Sequence, residues 1–391
     1  MSDYNPSALY NQYLDVIKND YLPWWHERGL DFEYGGFLSC MREDGTRVSE
    51  DKYMWSQGRG LWIFSYIYRN LDPDQRHRDF IDKTRDFLVR HGRTADGKWV
   101  NRVSRTGEQL DGPTSIYADM FVGLGLVEHY RATGNKESLT IARETAHEIA
   151  NRLRAPDFTD VAPFDLKPGY KLQGPHFINL NMLTPLLMET DDPFIEEEAA
   201  RDTAVITERF MDHQRGVNIE MLDPDWKVTD FPLGRDYVPG HGIECAWILM
   251  HEAMRKKDEA LWDNALTILR WHLEKGWDSE EGGLFWWLNI DGETPFEKNW
   301  TAKLWWPHAE SFIALANAVE HTGDDYWREW YMRLHDYSFA TFPDHENGEW
   351  TQRLDRYGKP ITATLVLPVK DPFHMPRGLV LAMESLKRQM D

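Results

Sequence analysis

With 391 residues, 65 acidic against 44 basic side chains and a formal net charge of −21, the chain has the wrong sign to neutralise phosphates, which excludes nucleic acid as a partner. Two cysteines exclude a disulfide framework and suit a reducing, cytoplasmic setting. No apolar run reaches membrane-spanning length, and Met1-Ser2-Asp3-Tyr4 lacks the basic and apolar start of a signal peptide.

In chain order, helix-period segments fall at 6–27, 55–70, 75–91, 115–133, 136–153, 176–190, 193–214, 241–256, 258–275, 304–321, 324–340 and 375–389. A glycine-led cassette separates successive pairs. It runs from Gly35 to Thr46, Asp96 to Glu108, Gly216 to Asp225, Gly282 to Glu293 and Gly348 to Lys359, at intervals of about 61, 119, 67 and 65 residues. Each cassette is an alternating run closed by an Asp-Gly-like turn, which predicts a β-hairpin. The long interval is close to twice the others, so a degenerate hairpin is expected in the loop 155–170, rich in Pro and Asp. Six units of one supersecondary pattern use up the chain without a linker, which predicts a single domain over 1–391.

Six helical pairs can close into a ring or stack as an open solenoid. The segments 55–70, 115–133, 176–190, 241–256, 304–321 and 375–389 are apolar and aromatic, whereas 75–91 and 193–214 are strongly charged. A buried inner ring inside a solvated outer ring is what closure requires. The expected fold is all-α, an (α/α)6 barrel of six helical hairpins with short β-hairpins in the connecting loops.

Polar groups on buried helices cost free energy unless paired, and here they gather at the starts of the inner helices. The clusters are Trp55-Ser56-Gln57-Gly58-Arg59, then Pro239 to Trp247, Lys303 to Glu310, and Phe373-His374-Met375-Pro376-Arg377. His241, Glu244 and Trp247 share a face. In the first turn the helix dipole favours a neutral, basic His241, to which Glu244 is expected to hydrogen-bond. The same pair could simply satisfy a buried helix end. His374 reads either as a catalytic base or as a cap. Trp306 and Glu310 share a face, as platform and carboxylate or as core. The fork of Arg59 suits a sugar oxygen or a buried carboxylate, and His308 lies off the shared face as a structural residue. Eighteen tryptophans exceed what a core needs, and a flat indole matches the C–H face of a pyranose. Together the clusters form a pocket in which two histidines can flank a substrate, one removing a proton and the other returning it. No nucleophile elbow, P-loop or dinucleotide fingerprint competes with that chemistry.

The stretches WSQGRGLW (55–62), PGHGIECAW (239–247), KLWWPHAE (303–310) and FHMPR (373–377) resemble the N-acylglucosamine 2-epimerase superfamily, which includes cellobiose 2-epimerases and mannose isomerases. The resemblance runs from about Tyr21 onward. It implies an (α/α)6 barrel and catalytic His241 and His374. It also implies Arg59 on the oxyanion of a cis-enediolate, with Glu244 and Glu310 completing the catalytic set. Trp306, Trp247, Trp55, Gln57, Asn181 and His176 are the expected substrate-binding residues. The run Asn181-Met182-Leu183-Thr184-Pro185 lacks a histidine usual in mannose isomerases and cellobiose epimerases, which points to the N-acyl-hexosamine branch; a shifted alignment would promote His176. The implied activity is 2-epimerisation of N-acyl-D-glucosamine and N-acyl-D-mannosamine, with D-mannose/D-glucose epimerisation or mannose–fructose isomerisation as alternatives. The rivals are a glycoside hydrolase using Glu244 and Glu310, a metal-dependent isomerase using His241, Glu244 and His374, and a non-catalytic sugar-binding scaffold. No bound cofactor or metal is expected, with ATP as an allosteric effector of some relatives. The expected partners are a small sugar and, as a homodimer, a second copy of the chain, with no membrane.

Overall fold

The computed structural model describes residues 3–163, 165–361 and 368–390. Residue 164, inside the loop expected to hold the degenerate hairpin, and Met1 and Ser2 lie outside them. Six inner helices, Met54–Asn70, Ile116–Thr133, Gln173–Leu187, Pro239–Lys256, Trp305–Thr322 and His374–Arg388, alternate with six outer ones. The outer helices are 6–28 (interrupted by a π-helical turn, Ile17–Tyr21), Gln75–Gly92, Lys136–Leu153, 193–210, Glu259–Gly276 and Asp325–Thr341. The fold is an (α/α)6 barrel. Among the described residues no helix is long and apolar enough to cross a membrane.

The two rings begin their helices differently. Every outer helix starts on an Asn or Asp whose side chain accepts a backbone N–H of the first turn: Asn5, Asp74, Asn135, Asp192, Asp258 and Asp324. No inner helix has such a bond from its own cap residue; the caps are Tyr53, Ser115, Leu172, Val238, Leu304 and Phe373. Five of these six caps are extended backbone that runs directly into the helix, and the sixth, Phe373, is already helical.

The cassettes keep local antiparallel pairing, as between Met211–Asp212 and Val217–Asn218, and add a pairing between units. Each cassette folds as two successive tight turns, such as Leu30↔Phe37 then Met41↔Arg47, or Pro343↔Trp350 then Leu354↔Pro360. The stretch between the two turns pairs with the segment that leads into the inner helix of the preceding unit. Thus Lys52–Tyr53 pairs antiparallel with Arg102–Val103, Lys171–Leu172 with Met221–Leu222, Asp236–Tyr237 with Leu288–Asn289, and Lys303–Leu304 with Arg353–Leu354. The degenerate unit keeps the same link, reduced to a bridge between Ser115 and Val161. Short strands cannot satisfy both edges within one cassette, so they recruit the neighbouring unit.

The sixth link closes the ring: the Lys370 amide donates to Ser39 O at 2.9 Å, and Lys370 Nζ reaches Glu43 at 3.1 Å. Tyr21 Oη donates to Pro372 O at 2.7 Å and Tyr4 Oη to Gln389 at 2.8 Å, so the first outer helix docks on the last inner one. An open solenoid has no such seam. The apolar core lies between the rings, with Trp25, Phe64, Phe312 and Tyr331 buried. Inner helices approach closely at glycine: a Cβ on Gly58 would lie 2.4 Å from the Phe121 backbone.

Candidate active site

Helix geometry decides which inner-helix residues meet. The second and sixth residues of a helix share a face, and in the inner helices that face lines a cavity of about 400 Å³. Trp55 and Arg59, Tyr117 and Phe121, and Gly174 and Ile178 line it as such pairs; helix Pro239–Lys256 contributes only its sixth residue, Glu244, and helix Trp305–Thr322 its second, Trp306. His241 and His374 join them from the first turns of their own helices.

In four inner helices the fourth residue faces away from the cavity, toward its own cassette or the outer ring. Gln57 accepts the Phe37 amide at 2.6 Å and donates to the Phe37 carbonyl at 2.9 Å. Asp119 accepts the Trp99 amide, and His308 Nε2 accepts the Leu284 amide at 2.9 Å. Burial holds His308 near 3, so it stays neutral and structural. His176 gives Nδ1 to Asp202 at 2.8 Å on the outer ring. Gln57 and His176, expected to bind substrate, are therefore braces. Asn181 is also displaced, into a separate cavity near the other end of the inner helices. Trp247 lies beneath the pocket and donates its indole N–H to Glu310 at 2.7 Å. Trp55 and Trp306 do line the cavity.

The two histidines flank one indole. The centroid of Trp306 is 5.3 Å from the His241 ring and 5.7 Å from that of His374. Each imidazole gives Nδ1 to a carboxylate, which leaves Nε2 as the nitrogen for a ligand. The partner of His241 is Glu220, with both oxygens at 3.1 Å, not the expected Glu244. Burial pushes the imidazole toward neutrality, but the charge and hydrogen bond of Glu220, with Glu244 behind, outweigh it and shift His241 upward. The expectation of a ring kept neutral by the helix dipole is thereby overturned: a full carboxylate charge at contact exceeds the half charge of a helix end. His241 remains a third exposed, with 33% of its side chain accessible.

His374 is more tightly held, with 7% of its side chain accessible. Its Nδ1 meets Glu310 at 2.6 Å. Glu310 in turn accepts from Trp247 and, at 2.6 Å, from Arg377 Nη2, which also reaches Glu244 at 2.8 Å. Burial alone would raise the Glu310 carboxyl, yet Arg377 and His374 hold it below the ordinary carboxylate range. Glu244 does not reach His241 because its carboxylate is held by the Arg377 guanidinium, while the imidazole Nδ1 is already taken by Glu220. Glu244, Glu310 and His374 offer ligand atoms within 4.8 Å of one another, but the cation between the two carboxylates is Arg377. Among the described residues His241 does not bring a ligand atom into that group, so the facial set His241, Glu244 and His374 is not assembled.

Arg59 does both things expected of it. It lines the cavity and pairs through Nη1 with Asp371 at 3.1 Å, its guanidinium 3.9 Å from the Phe121 centroid and 4.8 Å from that of Trp55. The other Asp371 oxygen accepts the amides of Phe373 and His374 at 3.0 and 2.7 Å, capping the last inner helix. Asp371 is lowered despite its burial by His374 and Arg59. One carboxylate thus fixes both Arg59 and the backbone of His374.

Sequence reasoning missed Glu220, Asp371 and Arg377. Glu220 had a signal: it is a charged residue inside the alternating run Val217 to Leu222. Asp371 sits three residues before His374, a capping distance. Arg377 was quoted in its cluster but given no partner, because its partners lie 67 and 133 positions away in sequence.

The family model described as N-acylglucosamine 2-epimerase matches residues 35–376. The N-acylglucosamine 2-epimerase of Bos taurus is 30% identical over 378 residues, covering 93% of this chain and 87% of that protein. The cellobiose 2-epimerase of Bacteroides fragilis is 25% identical over 84% of this chain and 86% of its own length. Among solved structures, the cellobiose 2-epimerase of Bacillus thermoamylovorans superposes with a TM-score of 0.84 at 20% identity, covering 97% of this chain and 99% of that one.

Proposed function

The chain belongs to the N-acylglucosamine 2-epimerase family and is a sugar epimerase; from that premise we propose that it interconverts N-acyl-D-glucosamine and N-acyl-D-mannosamine by proton transfer at C2. The observation that carries the reading is the pair of imidazoles on either side of Trp306, each anchored through Nδ1 to its own carboxylate.

In this reading the open-chain aldehyde lies against Trp306 between the histidines. One imidazole is neutral and takes the C2 proton through Nε2; the other is protonated and delivers a proton to the opposite face. Glu220 and Glu310 stabilise whichever ring becomes cationic. The reverse reaction exchanges the two roles. Charge that develops on O1 is met by Arg59, a fixed donor in a pocket of aromatic walls. The open first turns of the inner helices add their positive ends at the same mouth. On an N-acyl sugar, nitrogen replaces O2, so the intermediate is an enolate and not an enediolate. Protonation at C1 to give a ketose is then not available, and epimerisation is the outcome.

The N-acyl assignment is supported by the wall that helix Gln173–Leu187 presents. It brings Gly174, Phe177 and Ile178 to the cavity and no polar side chain, because His176 points outward. An apolar wall suits an acyl methyl better than a sugar hydroxyl, which would go unpaired there. A hydrolase reading is disfavoured by the shared Arg377: Glu244 and Glu310 are both bound to one guanidinium and neither is free to protonate a glycosidic oxygen.

The test is incubation of N-acetylmannosamine, N-acetylglucosamine, mannose, glucose and cellobiose with the enzyme in D2O, followed by NMR. The N-acyl pair should interconvert and gain deuterium at C2, because histidine exchanges its proton with solvent. Many turnovers without deuterium would rule out the two-histidine route. Turnover confined to mannose or cellobiose would leave the route and overturn the substrate.

A further inference from the structure

We propose that a second cavity, near the C-terminal ends of the inner helices, binds a neutral, hydroxyl-rich ligand of monosaccharide size. The cavity encloses about 340 Å³ and is separated from the histidines by a floor of Trp247 and Arg377. It opens to solvent past Met188, which is 65% exposed.

Three features define the ligand. The first is unspent hydrogen bonding at buried positions. Asn181 is 8% exposed and its Nδ2 has no partner, while Arg377 is 1% exposed with Nε and Nη1 unpartnered; both line this cavity. A buried donor left unmet costs on the order of 1–3 kcal/mol, so such groups ask for an acceptor. The second is an acceptor beside the first donor. Pro185 stands inside the helix and brings no amide hydrogen to the Asn181 carbonyl four residues earlier. A hydroxyl can accept from the Asn181 amide and donate to that carbonyl. The third is an apolar face: Trp62 and Tyr66 stack at 5.3 Å and 21°, with Trp247 opposite in the same lining.

Charge argues for a neutral occupant. The arginines of the lining already have carboxylates: Arg69 with Glu128, Arg131 with Glu189, Arg255 with Glu252 and Glu196, Arg388 with Glu320. Arg377 serves Glu244 and Glu310 together. An anion would find no uncompensated cation. A sugar ring supplies hydroxyls that both give and accept, and a C–H face for the indole.

The experiment is calorimetric titration with methyl N-acetyl-β-D-glucosaminide, which has no free aldehyde and cannot be turned over, together with a crystal soaked in the same compound. The wild-type protein should bind two molecules, one in each cavity. Asn181→Leu and, separately, Leu124→Phe should weaken the second site by about tenfold or more while turnover of the free sugar stays unchanged. Melting curves establish that both variants are folded. An empty second cavity in the crystal, or binding undiminished in both variants, would overturn the proposal. Turnover is read separately, so this failure is distinct from failure of the epimerase assignment.

Discussion

The outer and inner helices of this barrel begin in opposite ways. An outer helix closes its first turn with its own Asn or Asp, so its end is satisfied by residues adjacent in sequence. An inner helix has no side-chain bond from its own cap residue, and what meets its first turn comes from elsewhere. For the last inner helix it is Asp371; for Met54, Ile116, Gln173 and Trp305 it is a carbonyl of the following unit, at Asn101, Asp160, Glu220 and Gln352, and the N–H groups beyond those face the pocket. The difference teaches where function can sit. A locally satisfied helix end has nothing left to offer a ligand, whereas an open one supplies both N–H groups and side chains to a shared mouth.

That contrast is open to attack by substitution. The largest effect is expected at the open ends: His374→Asn and His241→Asn should each lower kcat by about a thousandfold or more, with melting temperatures little changed. Near-normal rates in both would refute the proton-transfer reading. Arg59→Lys keeps the charge but loses the planar fork, and kcat should fall about a hundredfold. Unchanged turnover with a lower melting temperature would mark Arg59 as only a partner for Asp371.

Glu220→Gln sharpens the contrast through pH. The native carboxylate raises His241 above its ordinary value. A histidine whose folded pKa is raised adds stability that is fully present below the unfolded pKa, near 6.5, and is lost as pH rises through the folded one. The substitution should therefore destabilise the protein more at mildly acidic than at alkaline pH, and the limb of the pH–rate profile governed by His241 should move to lower pH. A profile that does not move would show that Glu220 serves only the Val238 amide it also accepts, at 3.0 Å. The smallest effect belongs to the closed ends. Asp258→Ala removes the acceptor for the Leu261 amide and should cost about 1 kcal/mol of stability, with no change in kcat.

Much of this was legible in the chain. The twelve helices and the six-fold repeat followed from apolar periodicity and from glycine turns, and the position of the degenerate unit followed from one doubled interval. Of the residues that the sequence singles out, His241, His374, Arg59, Glu244, Trp55 and Trp306 line one cavity, and Glu310 holds His374 from behind it. Orientation was harder to read. Gln57, His176 and Asn181 sit beside the right residues in sequence, but two positions turn Gln57 and His176 to another face, and one further turn along the helix carries Asn181 to the other cavity. The partners of the histidines were less legible again. Glu220 comes from a cassette and Arg377 from the last helix, and neither pairing can be read from local spacing. The cassettes showed their local antiparallel turns, but not the second set of strand partners in the adjoining unit.

The seam between the first and last units governs how the protein can be made. Lys370 meets Ser39 and Glu43, and Tyr21 meets Pro372, so the earliest residues to leave the ribosome wait for nearly the latest. At about 5–20 residues per second that delay is roughly tens of seconds. For most of that time Tyr13 lacks the Phe312, Tyr331 and Phe339 rings that cover it, although Tyr21 already has Trp25 and Phe64. A nascent chain of this kind gains little from folding as it emerges, and its yield in a cell should depend on holdase chaperones. A ribosome stalled before residue 374 would present five helical pairs with one of the two histidines and no closed pocket.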